Sequence, residues 1–112
     1  MTKEELFEKA IDAFSEDKLE ESVTLYRQAL ELDPMYEDAL HGLARSLQDV
    51  GRFDEAAEAA KKLIQINSDD ILAHTRLSTI YLAQGRIEEA EKEGNTAKIL
   101  GWKEELKKGK TS

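Results

Sequence analysis

The feature that most constrains the fold of this chain is a repeat with a period of 34 residues. The hexapeptide GRFDEA at residues 51–56 returns as GRIEEA at residues 85–90. A shift of the sequence by 34 residues also superposes Leu6 on Leu40, Ala10 on Ala44 and Leu43 on Leu77. Three copies result, approximately 1–34, 35–68 and 69–102, followed by a tail at 103–112. A fixed period of this length is typical of a solenoid that stacks one supersecondary unit.

Each copy contains the apolar spacing of two amphipathic helices. In the middle copy the first helix is indicated by i, i+3, i+4, i+7 spacing, and a second apolar series follows Gly51. Gly51 and Gly85 stand where the first helix of a copy should end, because glycine adopts a left-handed turn without steric cost. The acidic residues behind them fall in the first turn of the next helix, where the helix dipole favours negative charge.

Composition narrows the class of protein. A chain of 112 residues with 36% charged residues and no cysteine predicts one helical, cytoplasmic domain without disulfides. The net charge of −8 argues against nucleic acid as a partner, and no stretch is apolar enough to cross a membrane. The charge is uneven: residues 1–34 hold ten acids and four bases, whereas residues 103–112 hold two acids and four bases.

The spacing of these residues resembles the tetratricopeptide repeat (TPR) over about nine tenths of the chain. The resemblance is carried by Leu6, Ala10, Leu19, Tyr26, Ala29 and Pro34 in the first copy, by Leu40, Leu43, Ala44, Leu47, Gly51, Phe53, Ala56 and Ala60 in the second, and by Leu77, Tyr81, Gly85, Ile87, Ala90 and Ala97 in the third. It implies an all-α, right-handed solenoid of antiparallel helix pairs forming one domain over residues 1–112.

Several positions depart from the family pattern. Asp17 replaces the turn glycine, Ser68 the proline, His74 a large apolar residue and Gly94 an aromatic one. We interpret these changes first as edge effects in terminal copies. In the tail, Gly101 predicts a helix stop, and Trp102 and Leu106 predict a short capping helix, with Trp102 filling the space beside Gly94.

The sequence indicates no enzyme, cofactor or metal site. GKTS at residues 109–112 resembles the end of a phosphate-binding loop, but Glu104 stands where the loop needs its earlier glycine. His41 and His74 are the only histidines, and neither has the further ligands that a zinc site requires. No nucleophile is paired with an orienting base.

The resemblance implies that the first helices of the copies line a concave groove that binds partners. The predicted groove residues are Phe7, Ile11, Phe14, His41, Arg45, Leu72, Thr75, Arg76 and Thr79, and the same helix faces carry Glu4, Glu8, Asp38, Gly42, Asp49 and Leu82. A carboxylate clamp known in the family uses two lysines, two asparagines and an arginine. Only Arg76 matches it here, because Phe7, Ile11, Gly42 and Leu72 occupy the other four positions.

The first helix carries two apolar rows that compete for the core. One row is Phe7, Ile11 and Phe14, and the other is Leu6, Ala10 and Ala13. If the smaller row packs inward, the larger row lines the groove and forms an exposed apolar patch. If the helix is rotated, the larger row is buried and the patch is lost.

Together these patterns predict a non-enzymatic interaction or scaffold module. The expected guest is a peptide with an apolar side chain against Phe7 and Ile11 and an acidic group near Arg45 and Arg76. The alternative is a structural protein that self-associates through its apolar first helix, or through contact of its basic tail with the acidic first copy.

Overall fold

The computed structural model describes residues 1–109, and within this range it contains six helices and no strand. The helices are α1 (Lys3–Ser15), α2 (Leu19–Leu32), α3 (Glu37–Asp49), α4 (Phe53–Ile66), α5 (Ile71–Ala83) and α6 (Ile87–Gly109).

The helix boundaries reproduce the period of the sequence. Helices α1, α3 and α5 begin at residues 3, 37 and 71, and α2, α4 and α6 begin at residues 19, 53 and 87. Each pair packs together, and α2 and α4 pack in turn against the first helix of the next pair. The result is an all-α helical repeat solenoid of 43 × 37 × 24 Å, which confirms the predicted fold class.

The turn inside each pair is a left-handed helix ending. Asp17, Gly51 and Gly85 have φ values of 63°, 83° and 76°. The next residue donates its backbone N–H to a carbonyl one turn back in all three copies, as in Arg52 to Leu47 at 2.9 Å. This is the Schellman arrangement, which satisfies carbonyls left over at a helix end. Asp17 therefore fills the role of the missing glycine, since aspartate tolerates this region better than most residues.

The core is built largely from small residues. Alanine is fully buried at seven positions, five of which, Ala10, Ala29, Ala44, Ala56 and Ala60, lie where the predicted pattern requires them. A small side chain lets two helix axes approach closely, so the alanines set the spacing inside and between pairs. Larger residues such as Leu47 and Leu63 fill the remaining space without exposure.

Two expectations about the tail are wrong. Gly101 does not end a helix, because α6 continues through it to Gly109. Glycine inside a helix costs only about 1 kcal/mol relative to alanine, and the helix-forming residues behind it allow the helix to continue. Trp102 does not fill the space beside Gly94 and is 65% exposed. A Cβ at Gly94 would instead lie 3.3 Å from Oγ of Ser78, which donates a hydrogen bond to the carbonyl of Ala90.

The last nine residues of α6 extend beyond the part of the helix that pairs with α5. We call residues 101–109 the overhang. Trp102 and Leu106 lie on one face of it, as expected, but both are about two thirds exposed and cover no part of the stack. Residues 110–112, including most of the GKTS stretch and the end of the predicted capping tail, lie outside the described residues.

His74 links the third helix pair through a buried polar contact. It occupies the position where the first two copies bury Leu6 and Leu40, and it is only 6% exposed. Its Nδ1 lies 2.6 Å from Oε2 of Glu93 and its Nε2 lies 2.8 Å from the carbonyl oxygen of Ser68. A carboxylate and a carbonyl both accept hydrogen bonds, so both nitrogens are satisfied only in the protonated ring.

The pKa of His74 is raised above its ordinary value. Burial is the largest single influence and lowers the pKa, but the hydrogen bonds to Glu93 and Ser68 and the charges of Glu93 and Asp70 outweigh it. A histidine whose pKa is higher in the folded than in the unfolded chain stabilises the fold when protonated. This stabilisation is complete below the unfolded pKa of about 6.5 and is lost as pH rises through the raised value.

We therefore expect the free energy of unfolding to fall as pH rises from about 6 through the raised pKa of His74. His74→Leu restores the apolar residue of the other copies and should flatten this part of the profile. Urea denaturation of both proteins across this range measures the effect. Parallel profiles for the two proteins would contradict the assignment.

Candidate functional site: the concave groove

The rotation of α1 decides which apolar row faces the groove. Leu6, Ala10 and Ala13 are buried, whereas Phe7 and Phe14 are half-buried and Ile11 is 44% exposed. The smaller row packs against the neighbouring helices because it permits close approach. The larger row is left on the concave side, as the first of the two alternatives predicts.

The groove has a volume of about 330 Å³ and is lined by α1, α2, α3 and α5. It brings together seven of the nine predicted groove residues. Its lining consists of Phe7, Ile11, Phe14, Tyr26, Asp38, His41, Gly42, Arg45, Leu72 and Arg76.

Two predicted groove residues lie apart from this cluster. Thr75 and Thr79 are exposed on α5, and the hydroxyl of Thr79 donates to the carbonyl of Thr75 at 3.0 Å. They follow the face of α5 beyond the groove lining. The structure does not bring them together with Phe7, Arg45 and the other lining residues.

Tyr26 forms part of the groove floor, which sequence reasoning did not predict. Its ring comes from α2 and reaches the groove beside Gly42 of α3, where an added Cβ would lie 2.3 Å from Cζ of the ring. The ring of Phe7 packs against it with centroids 5.9 Å apart. Burial raises the pKa of Tyr26, although the charge of Arg45 acts in the opposite direction. Glycine at a position where the other copies carry Glu8 and Arg76 was the available signal.

Arg45 and Arg76 differ from the other arginines in lacking a carboxylate partner. Arg27, Arg52 and Arg86 each form an ion pair with a glutamate. In the described part of the chain, neither groove arginine has such a pair. The guanidinium of Arg45 lies over the ring of Phe14, with Cζ 4.8 Å from its centroid, and Arg76 donates to Oε1 of Gln48 at 3.2 Å.

Arg76 is held in an environment that disfavours its charge. Burial lowers its pKa, the nearby charge of Arg45 lowers it further, and Asp49 only partly opposes them. Its Nε is buried and has no hydrogen-bond partner among the described residues. Two neighbouring cations repel each other, and burial of one of them raises the cost of its charge. A negatively charged group of a bound partner would offset both effects.

His41 connects the groove to the start of α5. Its Nε2 lies 2.8 Å from Oδ2 of Asp70, and Oδ1 of Asp70 accepts the N–H of Ala73 as the helix cap. Nδ1 of His41 is buried and unpartnered within residues 1–109. One ring nitrogen is thus used to hold α3 against α5, so His41 primarily fixes the width of the groove.

A second cleft differs from the groove in the pairing of its arginine. It lies between α2 and α4 and has a volume of about 380 Å³. Arg27 and Glu55 bridge it at 2.6 Å, and Glu55 also pairs with Arg52 at 2.8 Å. The arginine of this cleft is therefore already paired, in contrast to Arg45 and Arg76.

Residues 1–109 contain no group of three histidine, aspartate or glutamate side chains that could hold a metal ion. None of the helices in that range combines the length and the apolar character needed to span a membrane.

A family profile described as tetratricopeptide repeat matches residues 47–98, and a second described as TPR repeat matches residues 12–51. Together the two profiles cover residues 12–98, from the end of α1 into α6. The chain is a tetratricopeptide repeat protein. No curated protein matches it.

Solved structures of TPR proteins superpose closely on this one. MamA gives a TM-score of 0.90 at 25% identity over 94% of this chain, which spans 61% of the MamA chain. The second TPR of Spaghetti (RPAP3), bound to the HSP90 peptide SRMEEVD, gives 0.83 at 18% identity over 89% of this chain and 93% of that one.

The Yersinia enterocolitica type III secretion translocator chaperone SycD, in an alternative dimer, gives a TM-score of 0.85 at 22% identity over 97% of this chain and 83% of SycD. These likenesses show the TPR fold. The chain spans less than two thirds of the length of MamA.

The contact between Gly42 and Tyr26 can be tested by Gly42→Ala. The added Cβ would overlap the Tyr26 ring, so we expect a loss of about 1–3 kcal/mol from overpacking, partly offset by the higher helix propensity of alanine. Urea denaturation measures the change. The matched control is Gly101→Ala, where the Cβ meets nothing within 4 Å and stability should rise by about 1 kcal/mol. Equal effects of the two substitutions would refute the proposed packing.

Proposed function

We propose that this TPR protein is a non-enzymatic interaction module whose concave groove binds a peptide segment carrying an apolar side chain and an acidic group. The observation that carries the proposal is the pair of arginines without carboxylate partners in a chain that has 24 acidic residues. Every other arginine of the protein is paired.

The apolar wall supplies the first half of recognition. Phe7, Ile11 and Leu72 border the groove, and Tyr26 closes its floor. An apolar guest side chain that binds here leaves water and contacts these residues. The free energy gained is proportional to the apolar area covered. Because the wall rests on packed helices, little ordering is needed when a guest binds.

Arg45 and Arg76 supply the second half of recognition, because they can bind the acidic group of the guest. A guanidinium group can donate two parallel hydrogen bonds to a carboxylate, and a partly buried site strengthens the interaction. Arg45 lies at the Phe14 end of the apolar row, so a guest acid near it requires the apolar anchor to lie toward Phe7. The two contacts together select the direction of the peptide.

The comparisons support a protein-binding role. TPR proteins are in general non-enzymatic interaction proteins, and the RPAP3 domain is bound to an acidic peptide that also contains methionine and valine. This chain lacks four of the five clamp residues of the family. The proposed guest is therefore held by one apolar contact and two arginines, and not by the clamp.

The test uses two fluorescent peptides that share a central leucine and differ only in glutamate or glutamine. We expect tighter binding of the glutamate peptide, and a loss of about tenfold or more in Arg45→Ala/Arg76→Ala, since hydrogen bonds to charged groups contribute about 1.5–3 kcal/mol. Fluorescence anisotropy at low salt gives both affinities.

The control for this test is Arg27→Ala/Arg86→Ala. It removes the same two positive charges from arginines outside the groove, and Glu55 keeps Arg52 as a partner. This double variant should bind the glutamate peptide nearly as well as the parent protein. Equal losses in the two double variants, or equal affinity for the two peptides, would remove the role assigned to the arginines.

A further inference from the structure

The end of α6 carries an exposed apolar stripe that begins at Ile99, just before the overhang, and continues with Trp102 and Leu106 inside it. Ile99, Trp102 and Leu106 recur at i, i+3 and i+7 and are 48%, 65% and 66% exposed. Isolated exposed apolar residues are ordinary, but a contiguous patch containing tryptophan is typical of an interaction site.

Charged residues border this stripe on both sides. At 3.6 residues per turn, Glu105 lies along one edge of the stripe and Lys103 along the other. Glu105 groups with Trp102 and Leu106 on one surface of the helix. The overhang thus presents a base, an apolar stripe and an acid, in that order around its circumference.

Along α1, the groove carries charges opposite to those of the overhang at the two ends of its apolar surface. Tyr36 lies at the Phe7 end, where burial raises its pKa and the charges of Asp38, Glu4 and Glu8 raise it further, whereas Lys3 lowers it. Nζ of Lys3 lies 5.0 Å from the centroid of the Tyr36 ring, but its charge is paired with Asp33. The rings of Phe7 and Tyr36 lie 5.4 Å apart there. Ile11 follows, and Arg45 lies over Phe14 at the other end. The groove therefore runs from acid through apolar surface to cation.

We propose that the occupant of the groove is the α6 overhang of a second copy of this chain. Trp102 and Leu106 enter between Phe7 and Ile11, Glu105 pairs with Arg45 and Arg76, and Lys103 faces Glu4 and Glu8. This inference rests on the proposed function, because the overhang supplies the apolar anchor and the acidic group that the groove accepts. A helix offering side chains at i and i+4 to an apolar groove is an established form of recognition.

The contact joins two different surfaces, so each copy retains one free groove and one free overhang. Such a heterologous contact propagates into longer assemblies unless its geometry closes a ring. Growth beyond a dimer distinguishes the groove–overhang contact from a symmetric pairing of two overhangs, which forms only a dimer.

The experiment uses the full chain and sedimentation velocity over a range of concentrations. The parent protein should form dimers and longer species. The overhang variant, Trp102→Ala/Leu106→Ala, and the groove variant, Ile11→Glu/Arg45→Ala, should each associate more than about tenfold more weakly. All four residues are exposed, so both variants are expected to fold. Leu32→Ala/Met35→Ala removes two equally exposed apolar residues elsewhere and should leave association unchanged.

Mixing the two variants provides the decisive measurement. The overhang variant retains an intact groove and the groove variant an intact overhang, so an equimolar mixture should form a 1:1 dimer that grows no further. The glutamate peptide of the preceding test should dissociate it. A mixture that stays monomeric, or an overhang variant that associates like the parent, overturns the proposal.

The two proposals fail in different ways. A parent protein that stays monomeric at every concentration while binding the glutamate peptide removes the second copy as the occupant and leaves the peptide groove intact. A parent protein that neither associates nor discriminates between the glutamate and glutamine peptides removes both.

Discussion

Close packing of helices around alanine is the interaction on which the rest of this structure depends. Ala10, Ala29, Ala44 and Ala60 are fully buried, and they recur where one helix crosses its neighbour. Because their side chains end at Cβ, the backbones approach until larger residues interlock around them. This spacing sets the curvature of the stack and consequently the groove. The turns at Asp17, Gly51 and Gly85 reverse the chain within a few residues, so that the two helices of each pair can pack at this spacing.

The groove is a consequence of this packing. Since α1 turns its small row inward, Phe7, Ile11 and Phe14 remain on the concave side and form an apolar wall. Gly42 then gives Tyr26 the space to close the floor. The surface offered to a guest is thus the part of each first helix that the core has no room to accept.

The positively charged side chains of the helices differ in whether the fold provides a carboxylate partner for them. Arg52 and Arg86 directly precede α4 and α6 and pair with glutamates in the first turns of those helices. Arg27 pairs across two helices, and His41 and His74 join neighbouring segments through Asp70 and Glu93. Arg45 and Arg76 stand apart, with an aromatic ring and an amide as neighbours. A charge already compensated within the fold gains little from binding an opposite charge, whereas an uncompensated one gains more, especially where it is partly buried, as Arg76 is.

The sequence by itself determined the helix pairs, their period and the buried faces of the two helices in the middle copy, because apolar spacing and turn residues act over one or two turns of chain. Seven of the nine predicted groove residues lie on one surface of the structure, since a repeat carries the same face forward by 34 residues. The rotation of α1, the reach of Tyr26 past Gly42 and the missing partners of Arg45 and Arg76 were decided only by the tertiary structure. So was the continuation of α6 through Gly101, which leaves Trp102 exposed. Each of these depends on which side chains from distant segments compete for the same space, and local spacing holds no information about that competition.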